Sequence, residues 1–213
     1  MLVPLLSSHR IPIIMGKKNA YPYFILCDRG RYPMTTILTS SRFLLRPYQA
    51  ADGDAVWKVI SRPEIYATTN AIPKNFSRRR VDWWFAFLEN TRRSGTGFEF
   101  GVFEKRTGEY LGNCGIVNVN PRQYSGVLTY FIHPQWWGCG VATEASAAVL
   151  DFAFHELGLM RVSGSCVTCN PASRRVMEKL GFQLEGTGRR ELYKDGVFHD
   201  VYHLSLLAEE WRA

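Results

Sequence analysis

The segment HPQWWGCGVATEA, residues 133–145, sets two glycines, Gly138 and Gly140, between the end of a strand-like run and an alanine-rich helical run. A helix start leaves its first backbone N–H groups without intrahelical partners and carries the positive end of the helix dipole. Glycines at that point let an anion approach the backbone directly, so the junction suits a pyrophosphate group. Taken alone, the same residues also serve a tight turn, which is the plainer reading. A Walker loop would need Gly-Lys-Ser/Thr, which is absent. A Rossmann fingerprint would need a third glycine and parallel βαβ flanks, whereas the preceding strands read as a meander.

Other chemistry-bearing residues are less ordered. The five cysteines (Cys27, Cys114, Cys139, Cys166, Cys169) form no close-spaced framework. Cys166 and Cys169 make a C-x-x-C in a strand and its exit, with no second pair to complete a zinc site. They read as small hydrophobes, and no metal is expected. Of the net charge of +7, the first 33 residues carry +4, with five basic residues and one acid. The remaining +3, with Arg78-Arg79-Arg80 read as a solvated helix face, does not require nucleic acid as a partner.

The elements that must position the junction follow from pattern. Residues 42–48 read as a strand and 52–61 as a helix capped by Asp52. Residues 63–77 read as an irregular connection and 81–93 as an aromatic amphipathic helix ended by Ser94 and Gly95. Strands are expected at 97–104, 110–119 and 124–133, separated by turn residues. A long helix over about 140–157 is followed by a strand at 161–167. The next helix spans 171–180, with Asn170 at the N-cap, Pro171 at the first position and Gly181 past the end. Strands at 182–190 and 199–206 close the pattern. The order predicts an α+β domain over residues 34–213, a mixed and mostly antiparallel sheet of about seven strands flanked by helices. Residues 1–33 lack any such periodicity and read as an N-terminal extension.

A cradle that follows a meander, and is itself followed by a strand and an Asn-led helix ending in Leu180-Gly181-Phe182, resembles the GNAT superfamily of N-acetyltransferases. WGCGVATEA resembles its pyrophosphate loop, and the stretch NPASRRVMEKLGF, residues 170–182, resembles its second signature. The opening SSRFLLRP, the LGNCGI strand and the ending GVFHDVYHLSLL are similar to the RimJ/RimL branch. The resemblance covers about Ser40 to the C-terminus. It implies acetyl-CoA as co-substrate and an amine as acceptor. It assigns cofactor binding to Phe131, Ile132, Trp137, Gly138, Cys139, Gly140, Val141, Ala142, Thr143, Asn170 and Ser173, with the pantetheine arm along residues 124–132.

Departures from the family pattern limit the carry-over. Gln135 or Trp137 stands at the loop's usual Gln/Arg position, depending on register. Val127 occupies the stretch where many relatives keep a glutamate base, and Met177 stands where many keep a tyrosine acid. Ser173, three residues after Asn170, is the branch's alternative acid, with a helix-start role as the competing reading. Glu191 is the candidate base, and a solvated surface glutamate is its plainer reading. Glu99 and His199 are weaker candidates, and Glu185 reads as structural.

The acceptor follows from proton chemistry. At pH 7 roughly a tenth of an α-amine with pKa near 8 is neutral, against below about 0.1% of a lysine side chain. A site without a strong base therefore favours the α-amine. That agrees with the branch's resemblance to enzymes acting on protein N-termini, including those of ribosomal proteins. A small-molecule or antibiotic amine is the alternative, and a non-catalytic acetyl-CoA-binding module is a further one. No apolar run reaches the roughly 18–20 residues needed to span a bilayer, so no membrane role is expected. Arg10 inside the first apolar stretch is misplaced for a secretory signal, and the chain reads as cytoplasmic. A homodimer is left open. A chain beginning at Met34 is expected to fold and bind acetyl-CoA.

Overall fold

The computed structural model describes residues 35–212. The extension assigned to residues 1–33, the proposed start at Met34, and Cys27 lie outside them. One eight-stranded sheet runs in the order β1-β2-β3-β4-β5-β6-β8-β7. Its strands are β1 (Leu38–Thr39), β2 (Phe43–Arg46), β3 (Phe98–Glu104), β4 (Tyr110–Asn120), β5 (Ser125–Ile132), β6 (Arg161–Val167), β7 (Gln183–Lys194) and β8 (Val197–Leu207). Every neighbouring pair is antiparallel except β5 with β6. The expected mixed, mostly antiparallel α+β sheet is present. The strand beyond the seven expected is β1, a two-residue edge too short to leave a periodic signal.

Helices α1 (Gly53–Ile60), α2 (Pro63–Thr68) and α3 (Arg78–Ser94) precede β3, while α4 (Val141–Asp151) and α5 (Pro171–Lys179) follow β5 and β6. The connection expected to be irregular thus contains α2. Pro63 stands at its first position, where a missing N–H costs nothing, so the proline starts the helix instead of breaking it. α3 ends at Gly95, whose φ of 72° is left-handed as its cap requires. α4 runs on as a π-helical turn over Phe152–Glu156.

Alternation along the strands divides the core between two faces. On one face Phe98, Phe100, Ile116, Leu128 and Ile132 join Val141, Ala145, Val149 and Phe152. Phe98 and Phe100 meet the Phe152 ring edge-on at 5.5 and 5.8 Å. On the other face Phe103, Tyr110 and Phe131 pack with Val56, Ile60, Ile65 and Val81.

The LGNCGI strand explains itself by close backbone approach. A Cβ on Gly112 would lie 2.1 Å from the carbonyl oxygen of Phe131 on β5, and one on Gly115 would lie 2.4 Å from that of Phe98 on β3. Both obstacles are backbone atoms in a paired sheet and have nowhere to move. Gly112→Ala is expected to destabilise the fold by about 1–3 kcal/mol, the usual cost of overpacking. Thermal unfolding checks this, and an unchanged melting temperature would contradict it.

Candidate active site

The site originates in a defect of the sheet. β5 and β6 pair in parallel only at Ser125, Gly126 and Val127 against Arg161, Val162 and Ser163. Beyond Val127 the strands diverge, freeing one backbone edge of β5 and opening a gap through the sheet. The pantetheine track expected along residues 124–132 is thereby shortened, because β6 already takes its first part and the Trp137 indole takes the Ile132 carbonyl; residues 128–131 are not paired with β6.

Two clefts use the gap. The first, about 260 Å³, is lined by Phe131 and Ile132 of β5, by Trp137, Gly138 and Gly140, by Val141, Ala142 and Thr143 at the start of α4, and by Asn170 and Ser173. These are the residues assigned to the cofactor from sequence, except Cys139, which is exposed beside them. Gly138 and Gly140 have φ of 77° and 78°, so both need the left-handed conformation that favours glycine. A Cβ on Gly138 would meet nothing within 4 Å, which leaves the loop open above its backbone. The first N–H bonded inside this turn is that of Glu144, to the Gly140 carbonyl at 3.0 Å. The preceding N–H groups of α4 are left to face an anion. Arg175 and Lys179, one turn apart on α5, line the same cleft, and no acid does among the described residues. This donor set fits a pyrophosphate-bearing cofactor.

The SSRFLLRP motif holds that loop in place. The Glu144 carboxylate accepts from Ser40 Oγ at 2.8 Å, from the Arg42 backbone N–H at 2.8 Å and from Arg42 Nε at 2.7 Å, while Arg42 Nη1 donates to the Cys139 carbonyl at 3.1 Å. These bonds hold the Glu144 carboxyl below its usual range, although burial alone would raise it. Trp137 closes the other side, its Nε1 donating to the Ile132 carbonyl at 2.7 Å.

The second cleft, about 850 Å³, lies toward α2 and α3 and carries Phe76, Arg80, Trp83, Trp84 and Phe87 on its walls. Arg80 therefore faces a cleft, and Arg78 is ion-paired with Asp54 and Asp82; the basic run is only partly the solvated face expected. Glu99 and Asn113 sit on the floor, where Asn113 Nδ2 donates to Glu99 Oε2 at 2.5 Å. Both clefts include Thr68, Thr69, Tyr130, Phe131 and Ser173. Thr69 is held from outside: Lys194, at the tip of the β7–β8 hairpin, donates to the carbonyls of Tyr66 and Thr69.

At the junction Ser173 Oγ and Tyr130 Oη are 2.9 Å apart, and Tyr130 Oη also donates to the Ser173 carbonyl at 3.1 Å. Asn170 caps α5, its Oδ1 accepting from the Ser173 N–H at 3.2 Å. Burial pushes the Tyr130 phenol up, with the Ser173 bond opposing. Sequence reasoning missed Tyr130, whose alternation with Leu128 and Ile132 was the available signal. Met177, at the missing tyrosine's position, is buried core.

Glu191 is not brought to this junction. It lines neither cleft, and its carboxylate meets His203 Nε2 at 2.6 Å on the exposed side of the β7–β8 ladder. A base must reach the acceptor's proton directly or through one water, so Glu191 is withdrawn from that role. His199, opposite Leu192, also lines neither cleft. Glu185 is structural: Arg161 binds it bidentately at 2.7 and 2.6 Å, and with Ser205 lowers its carboxyl to about 2.

The family profile described as "Acetyltransferase (GNAT) domain" matches residues 42–183. The chain belongs to the GNAT acetyltransferase family. An uncharacterized N-acetyltransferase of Bacillus subtilis, YoaA, is 30% identical over 179 residues, covering 82% of this chain and 98% of that relative. The [ribosomal protein uS5]-alanine N-acetyltransferase of Escherichia coli is 27% identical over 185 residues, covering 86% of each. Among solved structures, the ribosomal L7/L12 alpha-N-protein acetyltransferase RimL in complex with coenzyme A superposes with a TM-score of 0.75 at 17% identity, over 81% of this chain and 98% of that one. Membership of the GNAT family makes the chain an acetyl-CoA-dependent acyltransferase. Among the described residues no helix is long and apolar enough to cross a membrane.

Proposed function

We propose that this GNAT enzyme acetylates the α-amino group of a polypeptide N-terminus, with acetyl-CoA in the first cleft and the acceptor in the second. The observation that carries the reading is the Tyr130–Ser173 hydroxyl pair, which belongs to both clefts at once. Acetyl-CoA supplies an activated acyl thioester. The backbone N–H groups of residues 141–143 hold its pyrophosphate over the open loop of Gly138 and Gly140, with Arg175 and Lys179 beside them. The open edge of β5 orients the arm, and a backbone N–H there polarises the carbonyl. Ser173, whose hydroxyl donates to Tyr130 in the free site, turns that hydrogen to the sulfur and gives it a proton, while Tyr130 holds the serine through its backbone carbonyl.

The acceptor class rests on three supports. The E. coli relative and the RimL structure are named as acting on protein α-amines. The second cleft is wide and aromatic, suited to a chain end. Among the described residues its lining carries a single acid, Glu99, against the several positive charges of a polyamine. A screen at pH 7 of alanine- and serine-initiated peptides, an N-blocked lysine peptide, spermidine and an aminoglycoside is the test. Highest kcat/KM for the free α-amine peptides is expected. A clear preference for spermidine or the aminoglycoside would overturn the acceptor assignment.

A further inference from the structure

Among the described residues Glu99 is the one acid on the walls of the acceptor cleft, and its partners set it apart from an incidental buried carboxylate. It alternates with Phe98 and Phe100, which puts it on the α1–α3 face of the sheet, the face of the aromatic walls. One Asn113 amide is its side-chain hydrogen-bond donor. That asparagine is itself fixed, buried to 1% exposure and accepting from Tyr48 Oη at 2.8 Å, while Tyr48 Oη is 3.2 Å from Tyr110 Oη. A chain of hydroxyls and one amide therefore holds one oxygen of the carboxylate in place where Glu99 lines the cleft. Trp83 and Phe87, stacked at 5.7 Å on exposed turns of α3, form a rim that an incoming ammonium passes with cation–π stabilisation.

We infer that Glu99 is the proton acceptor for the acceptor amine, and that the aromatic-walled cleft selects single cationic amines with an apolar flank. This rests on the acetyltransferase reading above and names the group that the missing glutamate near Val127 leaves unassigned. The amine arrives as R–NH₃⁺ and gives one proton to a Glu99 oxygen. Its lone pair then forms the N–C bond as the C–S bond breaks, and a second N–H proton compensates the sulfur through Ser173. The products are the amide, a thiol and one proton, which Glu99 returns to water.

Burial raises the Glu99 carboxyl to about 7, with the Asn113 hydrogen bond and then the Arg92 charge opposing. The other ionisable groups facing it are Tyr48 and Tyr110, Arg80 at the rim, and Asp82 and Glu89 across a smaller cavity behind it. A base near 7 lies about one unit below an α-amine but over three units below a lysine, which sharpens the α-amine preference. Only ionised Glu99 accepts a proton, so kcat/KM should rise with pH and bend near 7. Removing the Asn113 donor disfavours the ionised form and moves that bend upward.

The test uses the full chain, acetyl-CoA and an alanine-initiated peptide. Glu99→Gln, which keeps an acceptor for Asn113, should lower kcat/KM at pH 7 by roughly 10²–10⁴-fold, leave the KM for acetyl-CoA unchanged and lose the bend near 7. Asn113→Ala should retain a bend at higher pH, which a merely structural role would not produce. A Glu99→Gln enzyme with the wild-type rate and the wild-type bend would overturn the inference while leaving the acetyltransferase reading intact. Failure of the wild type to acetylate the peptide would instead strike that reading.

Discussion

Replacing Gly140 with valine is expected to weaken acetyl-CoA binding by roughly 10²–10⁴-fold. Gly140 adopts φ of 78°, and a Cβ there would sit 3.4 Å from an Arg42 guanidinium nitrogen. A branched side chain would shift that arginine, which bonds Glu144 and the Cys139 carbonyl, and would cover the first N–H groups of α4. Losing two hydrogen bonds to a charged phosphate, each worth about 1.5–3 kcal/mol, gives the stated range. The valine also strains a left-handed residue by roughly 1–2 kcal/mol, which a 213-residue chain should survive. Calorimetry on a variant with intact circular dichroism checks the effect. Unchanged affinity would remove the cradle.

The second large effect concerns the junction. Ser173→Ala should lower kcat by roughly the 10²–10⁴-fold of a lost general acid, with acetyl-CoA affinity nearly unchanged. Tyr130→Phe should cost less, because Tyr130 acts through the serine at 2.9 Å. Steady-state kinetics of both variants separates the roles. Near-normal rates in both would mean that water protonates the sulfur and that the hydroxyl pair only closes the gap between α5 and β5.

Legibility in the sequence followed how locally each feature is determined. Gly138 and Gly140 were readable because a left-handed loop before a helix needs glycine whatever surrounds it. Asn170 was readable because an N-cap bonds three residues along its own chain. Tyr130 and Ser173 stand 43 residues apart and meet only because β5 and β6 splay, which no local pattern encodes. Glu99 looked weak because its environment comes from Asn113, fourteen residues on, and from α3 above it. Glu191 misled through register: β7 shifts against β8 between Gly188 and Leu192, and the irregular stretch turns that carboxylate to His203. Helix α2 lies within the stretch expected to be irregular; at six residues it is too short to leave a periodic signal, and Pro63 stands at its first position.

The central claim is that the two clefts carry one acetyl transfer through their shared hydroxyl pair. Its most direct test follows free thiol and peptide mass together after mixing the protein, acetyl-CoA and an alanine-initiated peptide. Coenzyme A and N-terminally acetylated peptide should appear in equal amounts, at a rate proportional to enzyme. Tight acetyl-CoA binding with neither product formed, across the whole acceptor panel, would contradict the claim.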